Sequence, residues 1–320
     1  MLSHQPKKCL TLSSRAKRGI CFCGTLCGIL FPASISAQNP TTRPRITGIA
    51  KVRILTSAPP DAERLYSKVF SLTTIPSSFC DDVSLSCLGL NDRQLLSLFP
   101  SYHEENNSRL SEITFETADV ERLRNYLDAA SVKTDDIQGV KGGNRHFSVR
   151  DPEGHRIGFI QYAERPKLNS PANQVSAHLI HAGFVVRDRP AEDHFYKDTL
   201  GFRPYWHGGM KEDKDDWVAM QVPDGTDWVE YMLNISPTAD KHTLGVMNHI
   251  ALGVEDIHET EKRLIANGWK PGEKPKIGRD GKWQLNLYDP DDTRIEFMEF
   301  TPKEKPCCSE FTGPHPGPKK

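Results

Sequence analysis

Two segments of this chain repeat each other closely enough to be copies of one structural unit. The first opens at His181 with the run HAGFVVRD and closes at Glu230 in WVEYM. The second opens at His249 with HIALGVED and closes at Glu296 in RIEFM. Opening and closing residues lie 49 positions apart in the first copy and 47 in the second. An internal period of this kind constrains the architecture more strongly than any single element does.

Each copy contains one predicted helix, whose start and stop signals stand in matching places. Pro190 begins the first helix and Gly201 ends it, whereas Asp256 with Glu259 begins the second and Gly268 ends it. Proline in the first turn, a capping carboxylate and a terminal glycine are usual helix signals. Each unit is therefore predicted to contain a strand, then a helix, then further strands.

A fainter version of the same pattern fills the N-terminal half. A strand at 50–56 precedes a helix at 61–70, and a strand at 111–116 precedes a helix at 120–130 that Asp119 caps. The segment 151–159 closes this half as the Glu296 segment closes the other. The chain is thus predicted to hold four units in two pairs.

The domain boundaries follow from composition. Proline and polar residues mark a linker, and a terminal segment rich in proline, lysine and glycine is predicted to be disordered. The predicted order is a leader at 1–37, an N-terminal domain at 46–163, a linker at 164–175, a C-terminal domain at 176–300 and a disordered tail at 301–320.

The leader has the features of a signal peptide. Basic residues precede an apolar run at 19–31, and small residues lead to Ala37, after which cleavage is expected. The apolar run is too short for a comfortable membrane span. Export predicts a secreted or periplasmic protein, and the alternative, a mis-assigned start, predicts a cytoplasmic one.

Charge and composition limit the partners. The chain has 41 basic and 42 acidic residues, so it lacks the basic excess of nucleic-acid-binding proteins. Nothing after the leader is apolar enough to cross a bilayer. We expect a small-molecule substrate, no nucleic acid and no membrane span in the mature protein, and the sequence allows a homodimer.

The repeated histidines and glutamates are the candidate metal ligands. His181, Glu230, His249 and Glu296 give each copy one imidazole and one carboxylate at matching ends. Two imidazoles with two carboxylates suit one divalent ion such as Zn, Ni, Co, Mn or Fe. Side chains alternate along a strand, so His178, three residues before His181, is expected to face the other way.

These units resemble the βαβββ modules of the vicinal oxygen chelate superfamily, which includes glyoxalase I, extradiol dioxygenases and bleomycin resistance proteins. The resemblance covers residues 46–300. It implies an α+β fold in which four βαβββ modules pair into two glyoxalase-like domains, each with a curved mixed sheet around a central cavity. It also implies that Glu296 carries a proton during catalysis, with Glu230 as the second candidate.

The N-terminal half departs from this ligand pattern. Aligning the helices of the two halves places Lys51 where His181 stands and Glu112 where His249 stands, and the closing strands place Gly158 opposite Glu296. A protonated lysine is no ligand and glycine has no side chain. We therefore expect this half to have lost its metal site and to serve as scaffold, lid or interface.

The resemblance favours a glyoxalase-like lyase or isomerase that polarises a small oxygenated substrate and moves a proton. An exported protein works away from glutathione, which argues against lactoylglutathione as the substrate. The first alternative is an extradiol ring-cleaving dioxygenase. Against it, Asn286 stands where those enzymes have a tyrosine, because Tyr288 abuts Asp289, and 276–283 contains no histidine. The second alternative is a non-catalytic binding protein.

Two further expectations concern the surroundings of the site. Five side chains are candidates to line a substrate pocket: Tyr205, Trp206, His207, Trp217 and Trp228. After the leader, the cysteines are Cys80, Cys87, Cys307 and Cys308, without the spacing of a zinc site. A disulfide between Cys80 and Cys87 remains open at this stage.

Overall fold

Two eight-stranded mixed sheets make up the protein in a computed structural model that describes residues 42–80, 84–101 and 109–318. The predicted signal peptide at 1–37 lies outside these residues. Both sheets belong to one compact unit.

The first sheet contains the strands of the N-terminal half. These are β1 (Ile46–Thr56), β2 (Thr73–Ile75), β3 (Ser86–Asn91), β4 (Gln94–Pro100), β5 (Leu110–Thr117), β6 (Gln138–Gly139), β7 (Arg145–Arg150) and β8 (Arg156–Gln161). Their order across the sheet is β2-β3-β4-β1-β5-β8-β7-β6.

The second sheet contains the strands of the C-terminal half. These are β9 (Leu179–Val185), β10 (Arg203–Gly208), β11 (Trp217–Gln221), β12 (Trp228–Met232), β13 (His249–Val254), β14 (Lys276–Ile277), β15 (Trp283–Tyr288) and β16 (Arg294–Glu299). The order β10-β11-β12-β9-β13-β16-β15-β14 repeats that of the first sheet strand for strand. The predicted α+β fold of four modules in two sheets is therefore confirmed.

Five α-helices complete the described residues: α1 (Pro59–Arg64), α2 (Val120–Ala129), α3 (Arg189–Asp193), α4 (Lys241–Met247) and α5 (Ile257–Ala266). Both α1 and α3 continue into a wider π-helical turn, at Leu65–Val69 and His194–Thr199. Among the helices of residues 42–318 that could be described, none has the length and apolar character of a membrane span.

The predicted helix signals act as expected. The Asp119 carboxylate accepts from the backbone N–H of Arg122, and that of Asp256 accepts from two N–H groups of α5. Gly201 and Gly268 end their helices with φ of 76° and 96°, a region in which a side chain is strained. These caps fix where the chain leaves each helix for the next strand.

The two halves contact each other reciprocally. The Tyr66 hydroxyl, next to α1, donates to Asp289 in the β15–β16 turn at 3.3 Å. The Tyr196 hydroxyl, next to α3, donates to Asp151 in the β7–β8 turn at 3.1 Å. Equivalent residues of the two repeats thus make equivalent contacts, and each half holds the other's closing turn.

The C-terminal segment corrects one prediction. Residues 301–318 are not disordered: the backbone N–H of Thr312 donates to Tyr205 at 3.0 Å, and the His315 ring is 2.6 Å from the Tyr205 hydroxyl. Phe311 packs on Tyr205, with 4.9 Å between ring centroids. Proline, lysine and glycine disfavour regular structure here, but the aromatic contact of Phe311 with Tyr205 fixes the segment on the second sheet.

Candidate metal centre and its cavity

Adjacent central strands of the second sheet bring the four predicted ligands together. In the register of β9, Gly183 lies opposite both His249 of β13 and Glu230 of β12. On β13, Ala251 lies opposite both His181 of β9 and Glu296 of β16. The repeated sequence ends therefore become neighbours across the sheet, as the alternation of strand side chains requires.

His181, Glu230 and His249 offer ligand atoms that all lie within 4.8 Å of one another, as ligands of a single ion would, and Glu296 lies within 3.8 Å of both imidazoles. The Nε2 atoms of His181 and His249 are 3.0 Å apart. One oxygen of Glu230 lies 3.2 Å from His249 Nε2 and 3.8 Å from His181 Nε2, and one oxygen of Glu296 lies 3.8 and 3.6 Å from the same atoms. Ligand atoms bonded at about 2.1 Å to one ion at right angles lie about 3.0 Å apart.

The protonation of the histidines also suits a metal. Both rings are fully buried, and burial lowers their pKa well below the ordinary value. His249 Nδ1 is 3.1 Å from the Met247 carbonyl, which can only accept a hydrogen bond. Nδ1 therefore carries the proton and Nε2 presents a lone pair to the cluster, the arrangement usual for metal-bound imidazoles.

A glycine makes room for one of these rings. A Cβ atom on Gly183 would lie 2.0 Å from Cε1 of His249 and 2.8 Å from its Nε2. The absence of a side chain at position 183 is therefore what allows the imidazole to lie across β9 toward the other three groups.

The two glutamates share an unusual electrostatic environment. Burial raises the pKa of Glu230 and of Glu296 to about 7, and the positive charges of Arg294 and Lys282 limit the rise. Carboxyl groups that titrate near neutral pH can both accept and return a proton under physiological conditions. The chemistry of this donor set, two neutral imidazoles and two carboxylates, fits a divalent ion.

The cluster opens into a cavity of about 1070 Å³. Four of the five predicted pocket residues line it, namely Tyr205, Trp206, Trp217 and Trp228. The fifth, His207, does not, because its ring is half exposed and pairs with Asp215 at 2.7 Å. The tail forms part of the wall through Phe311 and the joined pair Cys307–Cys308.

Sequence reasoning missed several residues of this cavity. Asp280, Lys282 and Arg294 line it next to Glu230 and Glu296. Asp280 and Lys282 lie in the segment 276–283, which contains no histidine and no other ligand signal. A buried lysine cannot be recognised from sequence, because the tail that covers it comes from a distant part of the chain.

His178 lies outside the cluster, as its odd offset from His181 predicted. Its Nε2 is 2.7 Å from the Asp227 carboxylate, and its Nδ1 is 2.6 Å from the Gly317 carbonyl. Asp227 also accepts from the backbone N–H of Ile49 in β1 at 3.0 Å. This histidine therefore holds the tail and the first sheet in place.

The first sheet lacks an equivalent cluster. Its register places Lys51, Ser97, Glu112 and Gly158 where the second sheet has its four candidate ligands. Lys51 donates to the Cys80 carbonyl at 2.9 Å, and Cys80 is joined to Cys87. A Cβ on Gly158 would lie 2.5 Å from a Glu112 oxygen, so no side chain fits there.

Glu112 of the first sheet is buried among cations. Its carboxylate lies 3.2 Å from Arg53 and 3.5 Å from Arg156. A carboxylate held in this way makes a structural contribution and is not available to an ion. These contacts agree with the expectation that the N-terminal half has lost its metal site.

A second group of possible ligands, Asp151, His155 and Glu192, lies between the two halves. Here the Asp151 carboxylate accepts from Tyr196 at 3.1 Å and from the backbone N–H of His155 at 2.7 Å, and it pairs with the His155 ring at 2.8 Å. These bonds account for Asp151 without an ion.

Comparison with known proteins agrees with the repeated pattern. The sequence model of the Glyoxalase/Bleomycin resistance protein/Dioxygenase superfamily matches residues 178–297, which contain all four candidate ligands. The predicted resemblance is confirmed. The relatives described next include glyoxalases and an extradiol dioxygenase.

One relative by sequence and two by structure illustrate the range. Lactoylglutathione lyase from Haemophilus influenzae is 29% identical over 123 residues, which cover 38% of this chain and 91% of that protein. The Mn(II)-bound glyoxalase from Novosphingobium aromaticivorans has a TM-score of 0.62 at 16% identity, covering 80% of this chain and 83% of its own.

Homoprotocatechuate 2,3-dioxygenase from Arthrobacter globiformis has a TM-score of 0.63 at 17% identity and covers 81% of each chain. At these identities the two solved structures establish the fold alone. They extend over both halves of this chain, so the two-sheet architecture is common to a glyoxalase and a dioxygenase.

Proposed function

We propose that this protein is a metal-dependent enzyme of the glyoxalase type that acts as a lyase or isomerase on a small oxygenated substrate. The convergence of His181, Glu230, His249 and Glu296 at one end of a large cavity carries the proposal. These four side chains hold one divalent ion among Zn, Ni, Co, Mn and Fe. The Mn(II) of the Novosphingobium glyoxalase is consistent with this range.

When bound, the ion supplies Lewis-acid polarisation of a substrate oxygen, which makes a neighbouring C–H bond acidic. Glu296 lines the cavity and carries the proton, and Glu230, which also lines it, is the second candidate.

The runner-up is ring cleavage by an extradiol-type dioxygenase. The observation that favours it is the fold shared with the Arthrobacter dioxygenase across both halves. Against it, Asn286 lies opposite Glu296 in the β15–β16 register, where the resemblance expects a tyrosine. Tyr288 does not replace that group, because it is 40% exposed and its hydroxyl donates to Glu273 at 2.8 Å.

Elemental analysis of the purified protein tests the ligand assignment. We expect about one equivalent of a divalent metal in the wild type, and a loss of most of it in His249→Ala and in Glu296→Gln. Lys51→Ala is the matched control, because Lys51 holds the position of His181 in the first sheet. Equal metal content in all three variants would contradict the assignment.

The metal-loaded protein then distinguishes the reactions. Exchange of a carbon-bound proton next to a carbonyl, followed by NMR in deuterated water, supports the lyase or isomerase. Oxygen uptake with a catechol supports the dioxygenase. A protein that binds no metal leaves non-catalytic binding as the function.

A further inference from the structure

Lys282 is a buried cation without a hydrogen-bond partner. It lies just before β15 and is 0% exposed. Within residues 42–318, as far as they are described, its Nζ atom reaches no acceptor. Lysine is almost never fully buried unless its charge is paired. Removing an ammonium group from water costs on the order of several kcal/mol.

Three aromatic rings surround this ammonium group. Nζ lies 4.8 Å from the ring centre of Trp228, 5.0 Å from that of Phe311 and 5.5 Å from that of Tyr205. Cation–π attraction offsets part of the desolvation cost. The rings cannot accept conventional hydrogen bonds from the ammonium group, so its three N–H donors remain without acceptors.

The same cavity contains other buried donors without partners. Trp228 Nε1 and Arg294 Nε are buried, and no acceptor for either lies in the described part of the chain. Both residues line the cavity together with Lys282, Glu230 and Glu296. Several buried donors without partners thus belong to residues that line one space, and a ligand that enters it can supply the acceptors.

The charges that line the cavity lead to the same conclusion. Those that are not exposed to solvent are Glu230, Asp280, Lys282, Arg294 and Glu296. Three carboxylates against two cations leave one negative charge, and a divalent ion reverses this to one positive charge. A monoanionic ligand neutralises the loaded site.

We propose that Lys282 recognises a carboxylate of the substrate, and that the substrate is a small organic acid whose other oxygen atoms meet the ion. This inference rests on the proposed function, because the charge balance includes the metal. Lys282 is the specificity-determining residue: its ammonium group donates to the carboxylate while Trp228 and Phe311 cover the apolar part of the molecule.

The competing explanation makes Lys282 a simple counter-charge for the acidic groups. The contacts do not favour it, because one Asp280 oxygen already accepts from the backbone N–H of Lys282 at 3.2 Å and from Gln284 at 3.2 Å. Nζ takes no part in these bonds. If Lys282 were only a counter-charge, its removal would leave the buried acidic groups undercompensated and would lower the unfolding temperature.

The experiment compares benzoate with benzamide, two probes of equal shape that differ in charge. Their binding to Mn²⁺-loaded wild type, Lys282→Met and Lys276→Met is followed by tryptophan fluorescence at constant ionic strength. Lys276 is the matched control, since it lines the same cavity but is exposed and pairs with Glu273. Methionine retains the length of the side chain and removes its charge.

We expect the wild type and Lys276→Met to bind benzoate at least about tenfold more tightly than benzamide, since hydrogen bonds between charged groups are the stronger ones. In Lys282→Met the two probes should bind within about threefold of each other. An unchanged preference in Lys282→Met, or no preference in the wild type, overturns the inference.

Two further measurements separate the possible failures. Metal content is determined for each sample. If the proposed function fails, the wild type takes up no Mn²⁺. If only this inference fails, the ratio of benzoate to benzamide affinity is unchanged in metal-loaded Lys282→Met. Thermal unfolding of Lys282→Met should occur at or above the wild-type temperature, because an unpaired buried charge has been removed. A lost preference in a Lys282→Met protein that unfolds at or above this temperature cannot be ascribed to unfolding, and a lower unfolding temperature would favour the counter-charge explanation and overturn the inference.

Discussion

The substitution Gly183→Ala should disable the metal centre without removing any of its four ligands. Position 183 faces the His249 ring, and a Cβ atom there would lie 2.0 Å from Cε1. Ordinary van der Waals contact begins at 3.4 Å. The ring must therefore move by about 1.4 Å, whereas ligand distances in metal sites vary by only about 0.2 Å.

A displacement of this size removes His249 from coordination. Altering residues that merely support a ligand costs about 10- to 100-fold in metal affinity, so losing the ligand should cost at least about 100-fold. Metal affinity is measured by competition with a chromophoric chelator. Gly139→Ala is the control, because a Cβ atom at that exposed position meets nothing within 4 Å.

The stability of the metal-free protein provides an independent test of the same geometry. Forcing an extra methyl group against a packed ring costs about 1–3 kcal/mol. In a His249→Ala background the obstructing ring is absent, so Gly183→Ala should then cost little. Urea unfolding of the two single variants and the double variant gives the coupling energy, expected to be about 1–3 kcal/mol.

Either of two results would refute this reasoning. One is a Gly183→Ala protein that binds metal as tightly as the wild type, which would mean that His249 is not a ligand. The other is an equal destabilisation by Gly183→Ala with and without the His249 ring, which would mean that the methyl group meets some other part of the structure.

Two further predictions concern regions outside the centre. Burial and the charge of Asp151 raise the pKa of Glu192 to about 8 from its ordinary 4.5, so the native state retains a proton that the unfolded state loses, and stability should fall as pH rises between these values. Glu192→Gln should therefore be more stable than the wild type at pH 8, by an amount on the order of 2–5 kcal/mol. Urea unfolding should show this difference shrinking toward pH 5, and a difference that does not change with pH would contradict the prediction. A chain ending at Lys305 lacks Phe311, which stacks on Trp206, and its tryptophan emission should shift to longer wavelength; an unaltered spectrum would show that the tail does not cover the cavity in solution.

The repeat determined most of the fold. The matching ends at His181 and His249, and at Glu230 and Glu296, predicted equivalent strands, and the two sheets indeed have the same strand order. Helix boundaries followed from local signals such as Asp119 and Gly268, because capping depends on neighbours in sequence. Information of this kind is short-range or periodic, which is why the sequence alone was sufficient.

The surroundings of the centre were decided only by tertiary structure. The burial of Lys282 depends on Phe311, from the tail, and on Trp228, from a strand more than fifty residues earlier. The room for His249 depends on a glycine in another strand. Neither contact has a sequence period, so neither could be predicted from the order of residues.

The wrong prediction for 301–318 has the same origin. A segment with much proline, lysine and glycine has little tendency to form structure alone, yet it forms hydrogen bonds with Tyr205 and His178 once the second sheet exists. The sequence by itself thus determined which strands form and which four side chains could share an ion. The packed structure decided what covers those side chains and which charges line the cavity, because burial is a property of the whole fold and not of any one segment.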